Sequence, residues 1–229
     1  MTATTADTIA AKTIAHHHES GRVPVLLLTA MGMVLFVASY FLPYWNFRLV
    51  APQYPKGLVL QIGLGGVTGD VREIDIINHY IGMHAISEAA SFERAAGPYL
   101  VGAIVLAIVV GMIVAGRRMN WGGIVPAFAL PIGFLVTTIY WMYTFGHDLD
   151  PTAAIDFKPF MPTLVGTGTI GQFHTYAAPA VGFWFAIAGS LAVSAALYFR
   201  KSVCDTCPFR ASCRGAFATH NLLYGKIET

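Results

Sequence analysis

Four long stretches of the chain contain no Asp, Glu, Lys or Arg, and they constrain the fold more than any other feature of the sequence. Each is long enough to supply the roughly 20 apolar residues that cross a bilayer. Because a backbone in hydrocarbon has to satisfy its own hydrogen bonds, each crossing segment is expected to be a helix. The sequence therefore predicts an all-α membrane protein with four transmembrane helices. The uncharged stretches are Val23–Phe47, Ala95–Gly116, Met119–Gly146 and Pro159–Phe199.

The last stretch is longer than one crossing, and its first half is rich in Gly, Thr and Pro. We therefore place its helix near the end of the stretch. The first span continues into Phe41-Leu42-Pro43-Tyr44-Trp45 without a cleavage site, which favours a retained helix over a secretory signal. The predicted domain is 22–199, with spans at about 23–45, 97–116, 121–145 and 179–199, loops 46–96 and 146–178, and tails 1–21 and 200–229.

Basic residues mark two of the connecting segments as cytoplasmic. The link between the second and third spans carries Arg117 and Arg118 without an acid, and the C-terminal tail is also rich in Lys and Arg. The loop Arg48–Arg94 has four bases and five acids, and His147–Lys158 has three acids and one base. This pattern predicts a multi-pass membrane protein with both chain ends in the cytoplasm and both long loops outside, in the periplasm if the host is Gram-negative.

The absence of charge within the spans also excludes some functions. Only 11% of the residues are charged, and none of the charged ones lies within a predicted span. Conventional ion-coupled transporters usually need intramembrane Asp, Glu, Lys or Arg. The sequence contains no nucleotide-binding loop, nucleophile elbow or HExxH motif. We therefore do not expect an enzyme acting alone or a nucleic-acid-binding protein, whereas a subunit of a larger enzyme complex remains possible.

The first outer loop has a pattern of its own. Phe47–Val50, Gly57–Ile62 and Val71–Glu73 are short β-like runs, punctuated by proline and by turn residues. From Asp75 to Ala96 the pattern becomes helical, with Gly82 as its weak point. We predict a small β-hairpin followed by an amphipathic helix. The second outer loop shows no apolar periodicity and is expected to pack against the first.

Asp75, His79 and Met83 follow each other at a spacing of four residues in this predicted helix. That spacing puts all three on one helical stripe. Imidazole and thioether ligands together suit copper, particularly Cu(I). A transient copper site is one interpretation, with Asp75 orienting the imidazole. The alternative is that His79 only joins a hydrogen-bond network while Met83 packs.

Other histidines are weaker candidates. His147 precedes Asp148 and Asp150, a set that could bind a divalent ion or shuttle protons, or simply form the solvated end of a helix. His174 lies in a Gly/Thr-rich loop without an identifiable partner. The run His16-His17-His18 could scavenge metal but is more typical of a mobile tail.

All three cysteines lie in the C-terminal tail, as Cys204, Cys207 and Cys213. Three thiols so close together in a reducing compartment favour metal ligation over a disulfide. Zinc or an iron–sulfur cluster would need a fourth ligand, from His220 or from a second protein, whereas copper(I) could be held by three thiolates. Palmitoylation beside Arg200-Lys201, or no ligand at all, is the competing interpretation.

Several short strings in the two outer loops resemble a known family. They are Pro43-Tyr44-Trp45, Ala51-Pro52-Gln53-Tyr54-Pro55 with Gly57-Leu58, Thr68-Gly69-Asp70-Val71-Arg72-Glu73-Ile74, Asn78-His79-Tyr80-Ile81-Gly82-Met83, Leu149-Asp150-Pro151, Gly166, Gly168 and Ile170-Gly171-Gln172-Phe173. Together they resemble bacterial multi-pass membrane proteins encoded beside nitrous oxide reductase accessory genes. The resemblance covers both outer loops and the spans between them, but neither the N-terminal tail nor the cysteines.

This resemblance implies a role in supplying or assembling a copper enzyme outside the cytoplasm. It strengthens the copper hypothesis at His79 and Met83, and adds nothing for His84, His147 or His174. The expected function is an accessory protein that handles copper or assists assembly, with the lipid bilayer and a membrane or periplasmic copper enzyme as partners. Two alternatives stay open: a structural subunit of a membrane-bound copper oxidase or monooxygenase, and an electron-transfer component with a cluster on the cysteines.

Overall fold

The structure of the chain is a computed structural model that describes residues 23–114, 121–155 and 158–205. Five α-helices and five β-strands lie within these ranges, together with a short 3₁₀ helix at Ile86–Glu88. The helices are α1 (Val23–Tyr40), α2 (Val71–Tyr80), α3 (Ser91–Val114), α4 (Trp121–His147) and α5 (Val181–Asp205). The strands are β1 (Trp45–Ala51), β2 (Tyr54–Gly63), β3 (Gly66–Gly69), β4 (Gly166–Ile170) and β5 (Phe173–Pro179).

Four of the helices are long and apolar enough to cross a membrane, and this part of the prediction is confirmed. The qualifying segments are Val23–Tyr40, Ser91–Gly111, Gly123–His147 and Val181–Phe199. Each overlaps one of the four uncharged stretches, because charge is the strongest local signal against a membrane helix. Ser91–Gly111 begins before its uncharged stretch and includes Glu93 and Arg94.

The predicted fold class, an all-α protein with a small hairpin, is wrong. The strands form one five-stranded antiparallel sheet in the order β3-β2-β1-β5-β4, so the fold is mixed α/β. Strands β4 and β5 come from the second loop, and β5 pairs with β1 from Trp45 opposite Pro179 to Val50 opposite His174. The Gly/Thr-rich sequence of β4 lacks apolar alternation, so its pairing is a tertiary effect that local pattern does not predict.

The third predicted strand and the long helix after it also need correction. Val71–Glu73 is the first turn of α2, and the third strand of the hairpin segment is β3. The chain changes from strand to helix at Asp70. The Asp70 carboxylate accepts the Val59 N–H at 2.7 Å, and the Asp70 carbonyl accepts the Ile74 N–H at 3.1 Å, so this residue is bonded to both β2 and α2. The expected helix from Asp75 to Ala96 is broken into α2, the 3₁₀ turn and the start of α3.

Helix α2 packs on one face of the sheet and forms the core of this region. Leu58 and Leu60 of β2 contact Ile74 and Ile77 of α2, and all four are less than 7% exposed. Burying each such side chain contributes about 1.5–3 kcal/mol. Partly buried side chains surround them, namely Phe47, Leu49, Tyr54, Ile62, Val67, Val71, Ile86 and Phe173.

The chain divides into two compact units. One unit comprises the described residues of Met1–Val34, Ala103–Phe128 and Ala188–Thr229 and contains helix segments only. Its helices pack through small residues: Ser190 Oγ donates to the Ala127 carbonyl at 2.7 Å, and a Cβ on Gly32 would lie 2.7 Å from Val193 Cγ2. Close backbone approach of this kind is typical of membrane helices.

The other unit, Leu35–Gly102 with Ala129–Ile187, contains the whole sheet. Within it, β1 leads directly from α1 and β5 leads directly into α5. The Tyr44 carbonyl accepts the Ala180 N–H, and the Pro43 carbonyl accepts the Gly182 N–H, each at 2.8 Å. The sheet is therefore attached to two helices by hydrogen-bonded backbone.

Candidate functional site

Helix α2 ends in a glycine-dependent cap at the centre of the predicted copper site. Gly82 has a φ of +78°, its N–H donates to the His79 carbonyl at 3.4 Å, and the Met83 N–H donates to the Asn78 carbonyl at 2.8 Å. This pair of bonds is a Schellman motif with Gly82 in the left-handed position. Met83 therefore lies beyond the helix, and the predicted stripe through His79 and Met83 is broken between them.

The second loop packs against this cap. The Asp150 N–H donates to the Gly82 carbonyl at 2.8 Å, and the Ile155 N–H donates to the Tyr80 carbonyl at 3.0 Å. A Cβ on Gly82 would lie 2.9 Å from the Asp150 carbonyl oxygen and 3.0 Å from Ala153 Cβ, so only glycine allows this approach. Two strings distant in sequence, Asn78–Met83 and Leu149–Pro151, thus form one site. We refer to residues 78–84 and 148–155 together as the α2–loop site.

Asp75 does not orient the His79 imidazole in this structure. Its Oδ1 accepts the Ile86 N–H at 2.6 Å and its Oδ2 accepts the Ser87 N–H at 3.4 Å. Both oxygens therefore cap the 3₁₀ turn that follows the α2–loop site. The role of Asp75 in this geometry is to hold residues 83–88 against α2.

The α2–loop site carries several exposed titratable side chains. His79 is exposed at the last turn of α2, and His84 Nε2 lies 3.0 Å from Asp148 Oδ2, with both side chains more than half exposed. Hydrogen bonds from the hydroxyl and the N–H of Thr152, and then the nearby His79, lower the pKa of the Asp150 carboxyl. An anionic carboxylate thus lies within electrostatic reach of the His79 ring.

The remaining histidine at this end of α4 has a local role. His147 Nδ1 lies 2.9 Å from the Tyr143 carbonyl, and its ring stacks on the Tyr143 ring at a centroid distance of 4.0 Å. Within residues 23–114, 121–155 and 158–205, no group of three or more His, Cys, Asp or Glu side chains could hold a metal ion. Copper binding at His79 and Met83 stays a prediction. The His84–Asp148 pair was not anticipated, because its members are remote in sequence.

His174 lies on β5, which comes from the second loop. It faces Thr169 across the β4–β5 pair, with 3.1 Å between Thr169 Oγ1 and His174 Nδ1. Cys204 lies in the last turn of α5, but its side chain is outside the described part of the chain. Further predicted candidates are also outside the described residues, namely His16, His17, His18, Cys207, Cys213 and His220.

Two other strings of the resemblance meet at the tip of the sheet. The β1–β2 turn contains Pro52 and Gln53, the β4–β5 turn contains Gly171 and Gln172, and all four residues are exposed. Because β1 and β5 are antiparallel neighbours, the end of β1 lies beside the start of β5. The tip therefore presents two uncharged polar turns side by side.

Comparison with protein-family models gives no match, and no curated protein matches the chain. What the geometry offers chemically is an exposed imidazole at a rigid helix end, with a carboxylate within electrostatic reach and a thioether four residues further along the chain. Such groups can take up a cation from solution and release it again, since exposed ligands exchange readily.

Proposed function

We propose that the chain is an accessory protein of the bacterial inner membrane that handles copper for, or assists the assembly of, an extracytoplasmic copper enzyme. The observation that supports this most is the α2–loop site itself, in which a backbone hydrogen bond from Asp150 to Gly82 joins two strings of the resemblance next to His79. Both chain ends would be cytoplasmic, and the sheet and the α2–loop site would lie outside, on the side where such an enzyme is assembled.

In this proposal His79 is the primary copper ligand and Met83 the second. Both are soft or borderline donors that suit Cu(I). His79 is exposed and Met83 is half-buried, so the thioether would swing outward to complete the pair. Asp150, whose pKa is held low, stays anionic at neutral pH and attracts the cation without being a ligand. Asp75 supports the site by capping the turn after Met83.

A competitive Cu(I) titration of the purified protein tests this assignment. The background is a triple variant, Cys204→Ser, Cys207→Ser and Cys213→Ser, which removes thiolate binding. We expect His79→Ala and Met83→Ala each to weaken Cu(I) binding by at least about tenfold, equivalent to about 1.4 kcal/mol.

The matched control is His174→Ala, which removes another exposed histidine on a different element. Its Cu(I) affinity should equal that of the background. If all three variants bind Cu(I) alike, the ligand assignment is wrong. If the affinity falls only with His174→Ala, the copper site lies on the sheet.

The proposed topology has a separate test. A single cysteine at Gln53, an exposed residue in the β1–β2 turn, should react with a membrane-impermeant maleimide in intact spheroplasts. A cysteine at Arg117, in the basic link, should react only after the membrane is permeabilised. The reverse pattern would place the sheet in the cytoplasm and rule out the proposed role.

A structural subunit of a copper oxidase or monooxygenase is the second candidate, and the uncovered face of the sheet favours it. Val59 and Tyr176 lie on that face and remain 43% and 47% exposed. Such a subunit would co-purify from native membranes in fixed stoichiometry with its partner. It would also bind no copper at His79, which separates it from the first candidate.

A further inference from the structure

Helix α4 is longer than a bilayer requires. Its apolar segment Gly123–His147 has 25 residues. At 1.5 Å per residue it is about 37 Å long, against a hydrocarbon thickness of about 30 Å. No Asp, Glu, Lys or Arg occurs in this helix. Its surplus length must be accommodated by tilt or by an apolar extension beyond the neighbouring helices.

Ring contacts show which part of α4 lies beyond the ends of α1 and α5. The Phe134 ring lies 4.8 Å from that of Tyr44, 6.2 Å from that of Trp45 and 6.5 Å from that of Phe183. These partners mark the point where α1 has given way to β1 and where α5 begins. Residues 135–147 therefore continue for about 20 Å past the ends of α1 and α5.

Helix α3 accompanies this extension. A Cβ on Gly97 would lie 2.8 Å from the Leu64 carbonyl oxygen, in the β2–β3 turn, and 3.6 Å from Cε2 of Tyr40, the last residue of α1, which places Gly97 close to the end of α1. The residues before Gly97 therefore lie beyond that end. They contact the extension of α4, since Trp141 Nε1 donates to Glu93 Oε1 at 3.1 Å. We call residues 91–96 and 135–147 the α3–α4 ledge.

The outward surface of the ledge is apolar and aromatic. Phe92 is 79% exposed, Tyr140 is 60% exposed and Tyr143 is 56% exposed. On α4 these rings continue a helical stripe of exposed aliphatic side chains that includes Val136 and Ile139. The charged groups of the ledge bond to protein groups: Glu93 accepts from Trp141, and Arg94 Nη2 donates to the Ser87 carbonyl at 2.7 Å.

We propose that this ledge is a lipid-binding surface, along which the bilayer interface rises past the ends of α1 and α5 into the level of the sheet. Lipid rather than protein is the occupant because the aromatic surface is continuous with the uncharged stripe of a membrane-spanning helix. Tyr side chains with an apolar body and a polar tip are also typical of the headgroup layer.

One consequence is that the α2–loop site lies at headgroup depth. His84 lies within 3.0 Å of Asp148, directly after α4, and its ring lies 6.0 Å from that of Phe145. The exposed apolar side chains of Tyr80 and Ile155 then face the same layer. The lipid contact stands on the helices alone and does not depend on copper handling.

Spin-label accessibility in liposomes tests the proposal. The protein without its three cysteines is labelled at single positions, Phe92→Cys, Tyr140→Cys or Tyr143→Cys, and reconstituted in phosphatidylethanolamine and phosphatidylglycerol. Controls are Val136→Cys, deeper on the same stripe, and Gln53→Cys, in the exposed β1–β2 turn at the end of the sheet far from α1 and α5. We expect collisions with apolar oxygen to exceed those with water-soluble nickel chelate at positions 92, 140, 143 and 136, and the reverse at 53.

Two results would overturn the lipid contact. A water-like ratio at 92, 140 and 143 would show that the ledge stands above the bilayer. Weak collision with both reagents at these positions would show that a second copy of the chain covers them. Because all three side chains are exposed, the substitutions should leave the fold intact, and an unchanged thermal transition checks this for each variant.

Discussion

The two faces of the sheet are built from alternate residues of the same strands and differ sharply in their surroundings. In β2, Leu58 and Leu60 are 6% and 3% exposed, whereas Val59 between them is 43% exposed. In β5, Ala177 is 4% exposed and its neighbour Tyr176 is 47% exposed. Successive side chains of a strand point to opposite faces, so the contrast follows from the pleat. We call the side that contains Leu58 and Leu60 the covered face and the side that contains Val59 and Tyr176 the open face.

The two faces therefore have different roles: the covered face stabilises the fold, and the open face is available to contact a partner. The covered face is apolar and closed by α2, so its packing contributes to folding. The open face is chemically mixed: the strand register aligns Val59, Arg48, Tyr176 and Thr167 in one row across four strands. Since these side chains add little buried area, their identities are free to serve contact with a partner. The experiments below test that separation.

The largest expected effect is at the covered face. Leu60→Ala should lower the free energy of unfolding by about 2–5 kcal/mol, because it leaves a cavity between β2 and α2. Val59→Ala, the adjacent open-face position, should change it by less than about 0.5 kcal/mol. Denaturant titration in detergent micelles measures both. Equal losses would mean that the open face is also covered, by a second copy or by a part of the chain outside the described residues.

The next largest effect is expected at Gly82, where the second loop packs against the end of α2. Gly82→Ala should cost about 2–3 kcal/mol, since alanine strains the left-handed backbone and would also meet Asp150 and Ala153. Gly166→Ala is the matched control: its φ of +87° is also left-handed, but a Cβ there meets nothing within 4 Å. It should cost about 1–2 kcal/mol. Identical losses of thermal stability would show that the loop does not hold the end of α2.

The sequence predicts those parts of this architecture that depend on residues close together in the chain, and not those that depend on contacts between distant residues. The spans are local patterns and were found from charge alone. Strands β1 and β2 alternate or are rich in β-branched and aromatic residues, so a hairpin was expected there. Strand β4 has the sequence Gly-Thr-Gly-Thr-Ile and acquires its structure from pairing with β5, which no local pattern encodes. The fold class was missed for that reason.

The candidate site shows the same limit. The spacing of Asp75, His79 and Met83 assumed an unbroken helix, and Gly82 ended it between the last two. Nothing local shows that residues 148–155 pack on Gly82, since that contact depends on tertiary structure. The resemblance had selected both strings, Asn78–Met83 and Leu149–Pro151, without showing that they are neighbours. The structure supplies that relation through the hydrogen bond from the Asp150 N–H to the Gly82 carbonyl, and Ile155, just after the second string, adds a second bond to Tyr80.

A smaller effect is expected where α2 holds the 3₁₀ turn. Asp75→Ala removes a charged acceptor from the Ile86 and Ser87 N–H groups and should cost about 1–2 kcal/mol. Arg72→Ala, an exposed change on the same helix, should be close to neutral. Hydrogen exchange at Ile86 and Ser87 should rise only in the Asp75 variant. Unchanged protection at both amides would contradict the capping role.

The smallest expected effect is a pH dependence of stability that arises from Asp150, in the loop that packs against the end of α2. Hydrogen bonds from Thr152 hold the pKa of Asp150 below its ordinary value of 3.8 in the folded protein. A lowered folded pKa means that the carboxylate stabilises the fold above pH 3.8 and that this contribution is lost as the pH falls below that value.

Acidification should therefore lower Tm slightly less in Asp150→Asn than in the parent. Thr152→Ala, which removes the hydroxyl donor, should also lose less Tm on acidification than the parent, but by a smaller margin than Asp150→Asn. Parallel curves of Tm against pH for the parent and Asp150→Asn would mean that solvent screens this exposed carboxylate too well for it to stabilise the loop. Gly82 would then be the main determinant of how α2 packs on the covered face.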